Sequence, residues 1–329
     1  MAVFFIFNKQ KITMIKILSR KIKADNDTGF SSLASTQGGR ILNKDGSLNI
    51  VRTGQSPLER LNFFHGLISM NWTHFSIIVL LFYVFMNLLF GLVYYWIGVE
   101  HLNGSVANNE LNKFLESFFF STQTFATVGY GRINPTGILT NLVSSLEALL
   151  GVLSLALVTS LLYSRFSKPK SKLLYSTNLL VAPFHGASAL MFRFVNADNE
   201  QLIECEIQLV LSMTIKENEK EERKYFPLKL ERNKVASLAM NWTIVHPLNE
   251  DSPIYEYSAQ DLADSDAEFM ILLKAFDNTY SQVVHTRSSY KHDDIIWGAK
   301  FKPMYHKAKN GSFTVLELDK ISDYELVKS

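Results

Sequence analysis

From Phe75 to Val99 the chain reads FSIIVLLFYVFMNLLFGLVYYWIGV, without a charged residue. About 20 apolar residues in a helix cross a hydrocarbon core of roughly 30 Å. The run therefore predicts a spanning helix over about 73–99. Trp72 before it, and Tyr94, Tyr95 and Trp96 near its end, stand where aromatic rings favour the membrane boundary. A second apolar run predicts a helix over about 137–166, charged only at Glu147 before Arg165 near its end. Between the two, LNKFLESFFFSTQTFA (111–126) has helical length and a Phe-rich face, but is too short and too polar to cross alone. It leads into the Gly-rich stretch TVGYG (127–131). Irregular backbone at membrane depth is tolerated only when buried in protein or lining a water-filled path. Half-helix and loop together thus ask for a pore.

The pattern changes on both sides of this unit. Upstream, SPLERLNFFHGLI places Ser56 and Glu59 in capping-box order around Pro57. Leu58, Leu61, Phe64 and Ile68 follow near helical spacing, which predicts an amphipathic helix in the membrane interface over 56–69. Downstream, LLVAPF, SALMFRFVN, LIECEIQLVLSMTI, EFMILLKAF and SFTVLEL are β-rich runs separated by polar turns, the pattern of a β-sandwich over 168–329. KENEKEERK (216–224) reads as a solvated hairpin tip. Residues 1–55 read as a cytoplasmic tail ending in a strand. The first 23 residues hold six Lys or Arg, and their apolar start is too short for a signal peptide. They read as a basic tail, with membrane contact as a second reading and Met14 as an alternative start.

Composition narrows the function. Lys plus Arg is 33 against 31 Asp plus Glu, so no basic excess points to nucleic acid. The hydrophobic 47% is crowded into the first half. Cys205 is the only cysteine, which excludes an intrachain disulfide and a multi-Cys zinc site. His246, His285, His292 and His306 lack metal-ligand spacing, and there is no catalytic constellation; neither an enzyme nor a cofactor is expected. Arg52 and Arg60 precede the first span, and Arg165, Lys168, Lys170 and Lys172 close the second. Only Lys113 and Arg132 are basic in between. The positive-inside rule then puts both termini in the cytoplasm of a multi-pass cell-membrane protein. The NGS sequon at Asn103 falls outside, and those at Asn71 and Asn241 inside.

TVGYG is the selectivity signature of K⁺ channels, in which four such loops offer carbonyls in place of the ion's hydration shell. Gly129 and Gly131 allow the backbone angles this needs. Thr127 can add a hydroxyl ring, and Val128 and Tyr130 are expected to pack the loop against the half-helix, whose partly negative end faces the cation. One chain supplies one quarter of such a filter. Glu147, an acid inside a span, has two readings: a functional ionisable group, or a structural partner of the half-helix behind the filter.

Four further stretches carry a closer resemblance. KDGSLNIVR (44–52), LLYSRFSKPKSK (161–172), HPLNEDSPIYEYS (246–258) and SSYKHDDIIWGAKF (288–301) resemble segments of the inward-rectifier K⁺ channels, especially the bacterial KirBac-type members. The resemblance implies a homotetramer: a two-span α-helical pore domain with a cytoplasmic all-β, immunoglobulin-like sandwich and a slide helix linking cytoplasmic movement to the pore. It implies that Leu155, Thr159 and Tyr163, four residues apart, line the cavity and bundle crossing. Tyr163 would close the pore by dewetting; facing lipid is its other reading. Leu155 stands where strong rectifiers carry an acid, so block by Mg²⁺ or polyamines should be weak. Glu204 and Asp294 match acids of the cytoplasmic pore. Arg165, Lys168, Lys170 and Lys172 match a site for anionic lipid, which attracts such clusters by about 1 kcal/mol per charge. The chain departs from the family at Gln123, where a filter-supporting Glu is usual, and at Arg132, where bacterial members tend to have Asp. Two competing readings are a K⁺ channel gated by another cytoplasmic ligand, and a non-conducting β-sandwich module on a helical hairpin.

Overall fold

The computed structural model describes residues 40–51, 53–54, 63–167, 172–198, 201–217, 220–308 and 311–327. The basic tail, Met14, the capping residues Ser56, Pro57 and Glu59, and Lys168 and Lys170 lie outside them. The chain divides into two compact units, residues 53–168 and residues 1–52 with 169–329.

Among its described residues the first unit holds four α-helices: α1 (Phe63–Ser69), α2 (Trp72–Ile97), α3 (Glu110–Phe125) and α4 (Ile138–Phe166). α2 and α4 run 26 and 29 residues. At about 1.5 Å per residue both are long enough to cross a bilayer with tilt. Leu80, Leu81, Phe85, Leu149, Leu153 and Leu157 are exposed along them, as lipid-facing residues would be. α2 stops two residues short of the expected end, where Gly98 takes a left-handed φ and donates back to the Tyr94 carbonyl. α3 starts behind Asn109, whose side chain accepts from the Asn112 N–H and caps the helix. Phe90, Tyr94, Leu102, Phe120 and Ile133 form the core that seats α3 against α2, with Tyr94 edge-on to Phe120 at 4.9 Å. α4 passes the last turn of α3 at Gly151, where a Cβ would collide with the Phe125 carbonyl. Tyr94 is thus fully buried, a correction to its reading as a boundary aromatic.

The second unit is all-β apart from one short α-helix and two 3-10 turns, among the described residues. Its strands are β1 (Leu173–Tyr175), β2 (Leu179–Phe184), β3 (Ala187–Asn196), β4 (Leu202–Glu217), β5 (Lys220–Leu228), β6 (Lys234–Leu238), β7 (Trp242–Leu248), β8 (Glu268–Asp277), β9 (Gln282–Lys291) and β10 (Ile295–Trp297), with shorter strands beyond. One sheet runs β10-β2-β3-β1, with β7 also on β3. The other runs β9-β8-β4-β5, with β6 also on β4. Phe192 and Phe194 of the first sheet and Leu209, Leu211, Phe226, Phe269 and Ile271 of the second share one core. Alternating inward positions on facing sheets make this a sandwich.

Two buried arginines fasten the ends of this unit. Arg193 donates to the carbonyls of Ile321, Lys302 and Lys320 at 2.5–2.6 Å and lies 4.5 Å from the Phe301 ring, holding the C-terminal segment on β3. Arg223 lies beside the fully buried Glu268, whose two carboxylate oxygens each accept a backbone N–H, from Ile41 and Leu42, at 3.0 Å. Leu42 fills the space between Tyr225 and Met270. The 40–49 segment therefore docks partly through its main chain and the apolar side chains of Ile41 and Leu42.

Candidate functional site

The loop after α3 is held at its start by two carbonyls of that helix. The Gln123 carbonyl accepts from the N–H groups of Val128 at 2.8 Å and Gly129 at 3.2 Å, and Thr124 accepts from Thr127 at 3.0 Å. Gln123 thus supports the loop through its main chain, whatever its side chain has lost relative to Glu. Thr127, Gly129 and Gly131 have φ of 57°, 52° and 81°. In an ordinary strand successive peptide planes face opposite ways. Left-handed backbone at every second residue turns successive carbonyls to a common side. Val128 and Tyr130, expected to pack on the half-helix, are instead 52% and 80% exposed in the single chain. The buried face of α3 (Ser117, Phe120, Ser121 and Phe125) packs on α2 and α4 and does not cover them.

Glu147 lies where α2, α3 and α4 meet and is fully buried. Its carboxyl oxygens accept from Ser121 Oγ at 2.5 Å and Tyr94 OH at 2.6 Å. Ser121 Oγ also lies 3.3 Å from Asn87 Oδ1. Both hydroxyls escaped the sequence reading, because nothing in their spacing marks them. The signal that was available was the need of a buried acid for donors.

Leu155, Thr159 and Tyr163 recur along one face of α4 and are exposed in the single chain. Thr159 Oγ1 donates to the Leu155 carbonyl at 2.8 Å, as mid-helix hydroxyls do. Arg165 departs from its assignment to lipid. It is buried and donates to the Leu67 carbonyl at 2.5 Å, Ile68 at 3.2 Å and Met70 at 2.7 Å. Its guanidinium also lies 4.6 Å from both the Trp72 and Phe75 rings. The α1 C-terminus presents unpaired carbonyls, and Arg165 satisfies them, so its charge is not offered to a headgroup. Lys172 is exposed and lies 4.0 Å from Asp198.

Of the two acids assigned to a cytoplasmic pore, Glu204 is exposed, with φ of 49°, inside a break in register where Ile203 and Glu206 pair with Phe276 and Lys274. Such a bulge re-aims a side chain and recurs beside functional sites. Asp294 departs from its assignment. Its oxygens lie 2.6 Å from both Arg40 and Lys44, and it is only 13% exposed. Burial would raise its carboxyl, but hydrogen bonds from Lys44, the Lys291 N–H and Arg40 outweigh this and hold it below the usual carboxylate range. It pins the 40–49 segment and is not a free acid.

Two apolar spans, a half-helix with a TVGYG loop between them and an all-β unit beyond define a class: two-span K⁺ channels with a cytoplasmic β-domain. The profile of the inward rectifier potassium channel C-terminal domain matches residues 173–328, and an ion channel profile matches 82–168. Inward rectifier potassium channel Kirbac3.1 of Paramagnetospirillum magnetotacticum is 36% identical over 274 residues, covering 83% of this chain and 91% of that one. ATP-sensitive inward rectifier potassium channel 12 of Gallus gallus is 27% identical over 301 residues, 82% of this chain and 68% of that one. Inward rectifier potassium channel 18 of Homo sapiens is 26% identical over 298 residues, 82% and 67% of the two chains. The chain belongs to the inward rectifier potassium channel family, on its bacterial, KirBac-type side. Members are membrane-resident ion channels with K⁺ as the permeant ion, and not enzymes. Channels of the family are tetramers.

Proposed function

We propose that four copies of this chain form a K⁺-selective channel in the cell membrane, with both termini cytoplasmic and Thr127–Gly131 as its filter. The alternation of left-handed and ordinary backbone through those five residues carries the reading, because it aligns carbonyls for a dehydrated cation. The exposure of Val128 and Tyr130 supports self-assembly, since a neighbouring subunit would cover them. Ba²⁺-sensitive ⁸⁶Rb⁺ uptake into proteoliposomes tests the proposal, and its absence in well-folded tetramer would refute it. That result would leave the membrane-anchored interaction module as the better reading.

Gating is assigned to the face carrying Leu155, Thr159 and Tyr163, driven by cytoplasmic-domain movement and anionic lipid. Thr159 leaves no charge in the cavity, and neither does Leu155, so Mg²⁺ and polyamines are weak blockers and the current–voltage relation is nearly linear. Glu204 supplies what cytoplasmic-pore attraction remains. Lys168, Lys170 and Lys172 are the lipid-binding cations. Lys168→Gln with Lys170→Gln should change the dependence of flux on anionic lipid; an unchanged dependence would remove lipid from the mechanism.

A further inference from the structure

The outer end of the loop is secured differently from its start. After Gly131 the chain passes Arg132 and then Ile133, which is buried in the core shared with α2 and α3. Asn134–Pro135 then pairs antiparallel with Leu102–Asn103. Arg132 ties this exit to two other segments. Its Nη2 lies 3.3 Å from Glu116 Oε1, and its Nη1 donates to the Gly104 carbonyl at 3.4 Å. Glu116 is only 15% exposed, and its second oxygen accepts the Val106 N–H at 3.1 Å. One carboxylate thus joins the loop exit to the 104–106 turn from the second turn of α3.

α3 is the element that both grips the loop start, through Gln123, and is itself held to α4, through Ser121 and Glu147. Glu116 and Ser121 are five residues apart on it, Ser121 and Gln123 two. A rigid helix that holds both ends of a loop fixes the distance between them. Filter discrimination depends on the spacing and field strength of the carbonyls, so that distance matters to selectivity.

We propose that Glu116 and Arg132 are a positioning pair that sets the outer end of the filter and thereby its K⁺ over Na⁺ discrimination. The inference rests on the reading of residues 127–131 as the filter. The pair takes over at the protein–water boundary the bracing that Gln123, lacking a charge, does not give from behind the loop. Arg132 is 58% exposed, so the pair is of the modest kind. A fork reaching a carboxylate and a carbonyl together is beyond a lysine's point charge.

The test uses full-length channel in planar bilayers, with reversal potentials in mixed K⁺ and Na⁺ and Ba²⁺ block as the check on the filter itself. Glu116→Gln and Arg132→Gln should each lower the K⁺/Na⁺ permeability ratio about two- to fivefold, the range of an exposed pair. The exchange E116R/R132E should recover most of the loss, and Arg132→Lys part of it. A purely structural role would change tetramer yield on size exclusion and not the ratio. Unchanged ratios in both single variants, or an exchange no better than the worse single variant, would overturn the pair while leaving the filter in place. If the single variants do not assemble, recovery of assembly and ratio by the exchange supports the pairing, and failure of the exchange to assemble overturns it. A wild type without Ba²⁺-sensitive current would overturn the filter reading and this proposal with it.

Discussion

The contact of Glu147 with Ser121 is the most direct measure of how firmly the pore helix is tied down. Replacing Ser121 by Ala removes one donor to a fully buried carboxyl group at 2.5 Å, and Glu147→Gln weakens the acceptor. Interhelical hydrogen bonds in membranes couple by about 0.6 kcal/mol on average and by about 1.7 at most. Hydrogen bonds to charged groups in water-soluble proteins are worth about 1.5–3 kcal/mol. The contact is short, buried and made to a carboxyl group, so the coupling should lie near the upper membrane figure, about 1–2 kcal/mol. Tyr94→Phe, which keeps the edge-on packing against Phe120 but deletes the other donor at 2.6 Å, should cost about 1–2 kcal/mol by itself. The assay is a double-mutant cycle on unfolding of the purified channel in mixed micelles, with S121A, E147Q and the double variant measured beside wild type. Independent sites add to within about 0.3–0.5 kcal/mol. Additivity within that margin would show that the carboxyl group does not bind α3 to α4 in solution, and the argument for a braced pore helix would fail.

Four other outcomes follow from where the structure places individual side chains. Arg165→Lys keeps the charge but loses the fork that reaches three carbonyls between two rings, so the channel should lose about 1–3 kcal/mol of stability by thermal unfolding. Because the charge is retained, an unshifted transition would mean that Arg165 works only as a cation. His246 is buried, its Nδ1 donating to the Lys229 carbonyl at 2.7 Å and its Nε2 paired with Ser252 Oγ at 2.8 Å, and burial holds its imidazole below the usual value of 6.5. The unfolded chain then takes up a proton first as pH falls below about 6.5, so stability of the cytoplasmic domain should drop from there towards the lower native value; His246→Gln in the full chain should remove that part of the slope. Asp294 acts lower on the scale. Its native carboxyl sits below 3.8, so its contribution is complete above that pH and is lost as pH falls through the native value. Leu155→Asp should introduce Mg²⁺ and spermine block at positive voltage in patch recordings; a current–voltage relation still linear would show that position 155 does not face the permeation path.

What the sequence made legible divides by physical cause. Spans, half-helix and sandwich are written in periodicities of one face or one run, and these survive in the folded chain because burial of apolar surface enforces them. The chemistry of the loop is legible for a related reason: backbone that must take left-handed φ at alternate positions restricts residue type, and the two glycines record the restriction. Long side chains that reach across the fold are another matter. Arg165, Arg193, Arg223 and Glu268 are buried, and each ends on main-chain groups whose partners lie far away in sequence. A carbonyl or an N–H leaves no residue-type signal, so a charge recruited to serve one looks like any solvated charge. This explains why Arg165 read as a lipid ligand and Asp294 as a free acid. Both stand in basic or acidic stretches where surface roles are the commoner use of charge. The structure spends them on main-chain carbonyls of α1 and on the 40–49 segment. Charges that do serve ions or lipids should then be sought among those left without such an errand. Glu204, exposed on a bulge, meets that criterion within the described residues, and Arg165 and Asp294 do not.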